Sequence, residues 1–219
     1  MGFSTICLAI LANVIELKTA ISIVVIPSIA SNLIVMIFAG HWRISLTTFW
    51  LMLLMAVPGM LVGLQLLRQT DNSFSLLLLA LVLISYGLWG LRNFRFRLPD
   101  SSIKPLNPVI GFLTGCVNGA TGSQIFPIMP YLLSLNISKE VVVLTINLSF
   151  TLCSLIMLVG LIMIDALDTS SMVTYSLGIV PVAVGVWLGN KVRKTLSEQR
   201  FRQAVMVLIL LLGLLLLLK

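Results

Sequence analysis

The chain has 219 residues, 59% of them hydrophobic and only 10% charged, with a net charge of +7 and a mean hydropathy of +1.13. A water-soluble domain carries about 25% charged residues, so a soluble enzyme or a nucleic-acid-binding domain is excluded, and the cations fall in a few loops between apolar runs. A spanning helix takes about 20 apolar residues, so the expected fold is an all-α polytopic membrane protein with room for about six or seven spans.

In chain order, residues 2–15 are apolar but short of a full span, and Glu16 and Lys18 end them. This run lacks a basic n-region and a small-residue cleavage site, so it does not read as a signal peptide. Ala20–Ala39 is a predicted span containing Pro27, Ser28, Ser31 and Asn32, closed by a tight Gly40-His41-Trp42-Arg43 loop. Ser45–Leu67, with Pro58, Gly59 and Gly63, is the next span, and after the polar turn Arg68–Ser73 comes another over Phe74–Leu91. Residues 92–106 form the longest polar connection and hold Arg92, Arg95, Arg97 and Lys104. Beyond a broken segment, Val141–Ile164 and Met172–Asn190 are predicted spans, separated by an acidic loop, Asp165–Ser171, that has no Lys or Arg. Residues 191–202 are strongly basic, and Ala204–Leu218 is a final, almost wholly aliphatic span expected at the lipid boundary.

The broken segment runs from Asn107 to Leu135, NPVIGFLTGCVNGATGSQIFPIMPYLLSL. Gly111, Gly115, Gly119 and Gly122 punctuate it, and Pro127 and Pro130 follow. In hydrocarbon every backbone polar group needs a partner, so a broken segment survives only against protein or a watery cavity. Two half-helices are expected, near Pro108–Val117 and Ser123–Leu135. Charge bias places loops 92–106 and 191–202 in the cytoplasm and the acidic loop outside, in a multi-pass protein of the cell's inner or plasma membrane. Lys139 then lies on the same face as Lys104, so the segment reads as a re-entrant hairpin.

A shift of 120 positions lays Gly2-Phe3-Ser4 on Gly122-Ser123-Gln124 and Gly40 on Gly160, and a slip of three more lays Val57-Pro58 on Val180-Pro181. Two inverted repeats are expected, each a re-entrant half-helix hairpin plus three spans, with the first hairpin truncated: 1–91, a basic loop at 92–106, then 107–219. Inverted repeats with discontinuous helices are a secondary-transporter design.

The run GFLTGCVNGATGSQIFPIMPYLLSLNISKE resembles the second-repeat motif of the sulfite exporter TauE/SafE family. VIPSIASNLIVMIFAGHWR and AVPGMLVG are similar to the later helices of its first repeat, and IVPVAVGVWLGNKV to the matching second-repeat helix. The break here reads NGATGSQ, without adjacent glycines. The resemblance implies a membrane carrier of sulfite, sulfonates or related small organosulfur anions.

A half-helix starting near Ser123 would aim amide donors and its positive dipole end into the bilayer centre, at an anion bound near the midplane, and Thr121, Ser123 and Gln124 would add side-chain donors. The candidate substrate residues are Asn118, Gly119, Thr121, Gly122, Ser123 and Gln124 at the elbow. Ser28 with Asn32, and Asn147 with Thr151, join them as polar faces of flanking spans. Gly111, Gly115 and Gly119, spaced four apart, also fit simple helix packing. No Lys or Arg falls mid-span, so an anion would be held by neutral donors. Cys7, Cys116 and Cys153 read as packing residues, and no metal or cofactor is expected. No catalytic set of Ser, His and Asp is evident, so an enzyme is not expected. The expected partners are a small anion and the lipid bilayer, with a homo-oligomer compatible. The rival reading is a non-transporting or truncated integral membrane subunit.

Overall fold

The computed structural model describes residues 3–39, 42–92, 97–163 and 198–218. The span expected over Met172–Asn190, the acidic loop Asp165–Ser171, the turn at 40–41 and most of the basic loop 191–202 lie outside the described residues. Eight α-helices are described: α1 (Phe3–Val14), α2 (Leu17–Ala39), α3 (Trp42–Gln69), α4 (Asn72–Leu91), α5 (Ile103–Thr121), α6 (Ile128–Ser134), α7 (Lys139–Met163) and α8 (Glu198–Leu217). Four of these, α2, α3, α4 and α7, are long and apolar enough to cross a membrane. Broad aliphatic faces, such as Ile34 and Ile37 on α2 and Leu61 and Val62 on α3, are exposed, as lipid contact requires. The chain is an all-helical polytopic membrane protein among its described residues.

The helix on which the others are built is α3, which packs parallel to α5 along a seam of small residues. A Cβ at Gly111 would overlap the Met52 carbonyl, one at Gly115 the Ala56 carbonyl, and one at Gly59 the Phe112 carbonyl. The register continues at Gly119, where a Cβ would stand 2.6 Å from the Met60 oxygen and 2.7 Å from the Leu64 nitrogen. The four-residue glycine spacing is thus used for backbone-to-backbone packing, which replaces the hydrophobic drive that lipid removes. Buried Asn107 adds a bond across the pair, its Nδ2 donating to the Thr48 carbonyl at 2.8 Å.

The remaining helices close around this pair. α2 packs on α7, α7 on α3, α1 on α2, and α4 on α8. α8 buries Met206, Ile209, Leu212 and Leu216 and exposes Val207, Leu211 and Leu215, so it is peripheral with one packed face. Its Arg202 donates to the Gly90 carbonyl at 2.9 Å and ties it to the end of α4.

The break expected after the midpoint is present, but its arms are unequal. α5 has 19 residues, about 28 Å at 1.5 Å each, against the 10 residues expected. It runs on through Val117 because nothing stops it before Gly122, whose left-handed backbone (φ 73°, ψ −4°) forms the C-cap. Residues 122–127 are not α-helical, and the second arm starts at Ile128 rather than Ser123, after the cis Phe126–Pro127 bond. It is only seven residues long. The hairpin nevertheless closes on itself: the Leu98 N–H donates to the Ser134 carbonyl at 2.9 Å, and the Tyr131 hydroxyl donates to Asn107 Oδ1 at 2.8 Å. The chain therefore leaves and returns at one end of the bundle, which also holds the starts of α3 and α7. The opposite end holds the α1–α2 and α3–α4 turns, where Asn72 Oδ1 accepts from the Leu17 N–H at 3.1 Å.

Candidate functional site

The hairpin brings its elbow against the middle of α2 and the later half of α7, and a small cavity remains there. Its polar wall is Ser4 from α1, Ser28 from α2, Asn118 from α5, Gln124 from the break and Ser154 from α7. Its apolar wall is Leu8, Ile21, Val24, Val25 and Met157, and Gly122 forms its corner. Among the described residues, no Lys, Arg, Asp or Glu lines it. The volume is about 20 Å³, room for roughly one water-sized group. An oxyanion with three oxygens is larger, so the surrounding helices must part to admit one.

The lining carries polar capacity that the fold does not use. Ser28 Oγ, Asn118 Nδ2 and Gln124 Oε1 are buried with no hydrogen-bond partner among the described residues. Asn118 is 1% exposed; its amide lies beside the Cys153 thiol, too weak an acceptor to satisfy it. Each such orphan costs about 1–3 kcal/mol, and native proteins hold few of them. Gln124 Nε2 donates to Ser154 Oγ at 2.6 Å. Rotating that amide by half a turn would let Ser154 donate to Oε1 and free Nε2 to face the cavity.

The structure separates the expected site residues into two groups. Ser28, Asn118, Gly122 and Gln124 meet at the cavity. The others lie elsewhere. Gly119 faces α3 in the small-residue seam. Thr121 shapes the turn: its hydroxyl donates to the Val117 carbonyl at 2.6 Å and accepts from the Ser123 N–H at 3.1 Å. Ser123 is buried behind the lining, with Oγ unpartnered. Asn32, one turn past Ser28, also has an unpartnered amide nitrogen. Asn147 Nδ2 bonds back to the Val143 carbonyl at 2.7 Å, and Thr151 Oγ1 reaches Met36 Sδ at 3.4 Å across the α2–α7 contact. Ser4 and Ser154 were not among the expected site residues. Both had a signal: Ser154 continues the Asn147–Thr151 face at helical spacing, and Ser4 falls on Gln124 under the 120-residue shift.

The expected helix-end dipole needs correction. With the second arm starting at Ile128 and spanning seven residues, its macrodipole is small, and its Met129 and Tyr131 amides bond to the Ile125 and Pro127 carbonyls at 3.1 and 3.3 Å. The amides of the second arm are thus taken up within it, and the polar groups that the elbow puts in the cavity wall belong to Asn118 and Gln124.

A neutral-donor cavity at a helix break, enclosed by membrane helices, is the arrangement of a solute carrier. The family described as sulfite exporter TauE/SafE matches residues 1–216, and the chain belongs to it. Comparison with curated proteins finds no match, and comparison with solved structures finds none. Membership makes the chain an integral membrane protein of a transporter family whose cargo is sulfite or organosulfur anions.

Proposed function

We propose that the protein is a secondary carrier for a small, singly charged sulfur oxyanion, bound in the cavity between Ser28, Asn118, Gln124 and Ser154. The observation that carries this reading is a cavity at the helix break that gathers Ser28 Oγ, Asn118 Nδ2 and Gln124 Oε1, three of the nine buried side-chain atoms without a hydrogen-bond partner among the described residues. Their burial disfavours the fold unless a ligand takes up their bonding capacity. Hydroxyl and amide donors suit sulfur-bound oxygens and hold them reversibly. A lining without cations among the described residues disfavours a dianion more than a monoanion, because the cost of removing an ion from water grows with the square of its charge. Once the helices part, the apolar wall of Leu8, Ile21, Val24, Val25 and Met157 would face an alkyl group on a sulfonate. Taking Lys104 as cytoplasmic from charge bias, the ~28 Å of α5 would carry the elbow past the middle of a ~30 Å core rather than to the midplane expected from the sequence.

Purified protein in proteoliposomes tests this by uptake of labelled sulfite and of methanesulfonate. Saturable uptake of both is expected, with sulfite uptake falling as pH rises through its second ionisation and methanesulfonate uptake flat. Sulfite uptake that rises with pH would overturn the monoanion reading, and no uptake of either would favour a non-transporting subunit.

A further inference from the structure

We propose that α1 and α6 are two opposed gates on the cavity, with α3 and α5 as the fixed post between them. The proposal rests on reading the cavity as the transport site. Each of the two short helices begins at or next to the cavity and ends at a different end of the bundle. α1 starts with Ser4 and Leu8 in the lining and runs to the Leu17–Asn72 contact. α6 follows Gln124, which is in the lining, and runs to the Leu98–Ser134 contact at the hairpin end. Shifting α1 (3–14) by 120 positions gives 123–134, the break plus α6, so one sequence relation pairs the helix that lines the cavity through Ser4 and Leu8 with the segment that lines it through Gln124 and continues as α6.

The way each element is held separates movers from post. α5 cannot slide on α3, because five glycines bring backbone against backbone where no side chain can give. α6 has no such seam. It is seven residues, about 10 Å, and it is held to the post by the Tyr131 hydroxyl, which donates to Asn107 Oδ1 at 2.8 Å and lies 3.4 Å from the Ile103 carbonyl. Asn107 is itself fixed to α3 through Thr48. Tyr131 and Asn107 are therefore positioning residues: they contact no cavity atom, but they set how firmly α6 covers it from the hairpin end.

Cysteine labelling tests this in membrane vesicles, in a background lacking Cys7, Cys116 and Cys153. Val24→Cys in the apolar wall is the reporter, and an impermeant maleimide is applied from each face. Leu98→Cys with Ser134→Cys supplies a disulfide staple at the hairpin end. We expect labelling from both faces without the staple, labelling only from the α1 face with it, and recovery on reduction. Tyr131→Phe should speed labelling from the hairpin face several-fold and leave the other face unchanged. A reporter silent from the hairpin face before stapling, a staple that changes nothing or blocks both faces alike, or a Tyr131→Phe effect equal on both faces would each overturn the gates. Labelling needs no cargo, so gated labelling in a protein that moves no anion would overturn the proposed cargo and leave the gates standing.

Discussion

Two residues of the elbow separate shape from chemistry. Gly122 shapes: its φ of 73° is a region that costs other residues about 1–2 kcal/mol, and a Cβ there would meet Ile21 Cγ1 at 2.7 Å. Gly122→Leu is therefore expected to abolish uptake while the protein still inserts, measured as flux per membrane-inserted protein; unchanged flux would mean that the elbow only packs. Asn118 carries chemistry: its amide nitrogen is buried and unpartnered. Its neighbour is the Cys153 thiol, a weak acceptor, so replacing the amide with an apolar group of similar size gives up little bonding and relieves a desolvation cost. Asn118→Leu should leave the melting temperature equal or higher; a fall of several degrees would show that the amide has a structural partner.

At the scale of elements, α3 and α5 share a seam that tolerates no added side chain. At Gly115 a Cβ would overlap the Ala56 carbonyl and stand 2.7 Å from the Met60 nitrogen, both backbone atoms. Gly115→Leu is expected to leave little folded protein on size-exclusion of detergent extracts, and wild-type yield would contradict the seam's role. Both the seam and the break were legible in the sequence, because glycines four apart and a Gly-then-Pro run have local physical meaning. The arm lengths were not. Where α5 stops depends on the left-handed backbone at Gly122, and where α6 starts depends on how the chain packs through Pro127. Nor was the lining legible as a set. Ser4, Ser28 and Ser154 lie far apart in sequence and meet only through the packing of α1, α2 and α7, while Thr121, equally polar and equally close to the break, spends its hydroxyl on the turn.

For the whole molecule, the hairpin that returns to its own end puts both of its ends at one end of the helix bundle. The Leu98–Ser134 bond places the α6–α7 loop beside the basic connection, which charge bias assigns to the cytoplasm. A cysteine placed by Ser138→Cys should be labelled from the cytoplasmic face alone; labelling from outside would end the re-entrant path. Packing of α2 on α7 and of α4 on α8 brings together segments that the 120-residue shift relates, as the proposed inverted halves would require. The measurement that bears most directly on the account is equilibrium binding of labelled sulfite to purified wild-type and Asn118→Leu protein. The account predicts saturable binding to the wild type and at least about tenfold weaker binding to the variant, the loss of roughly 1.4 kcal/mol expected when one donor to a charged ligand is removed. Equal affinity in the two, with the variant folded, would contradict it.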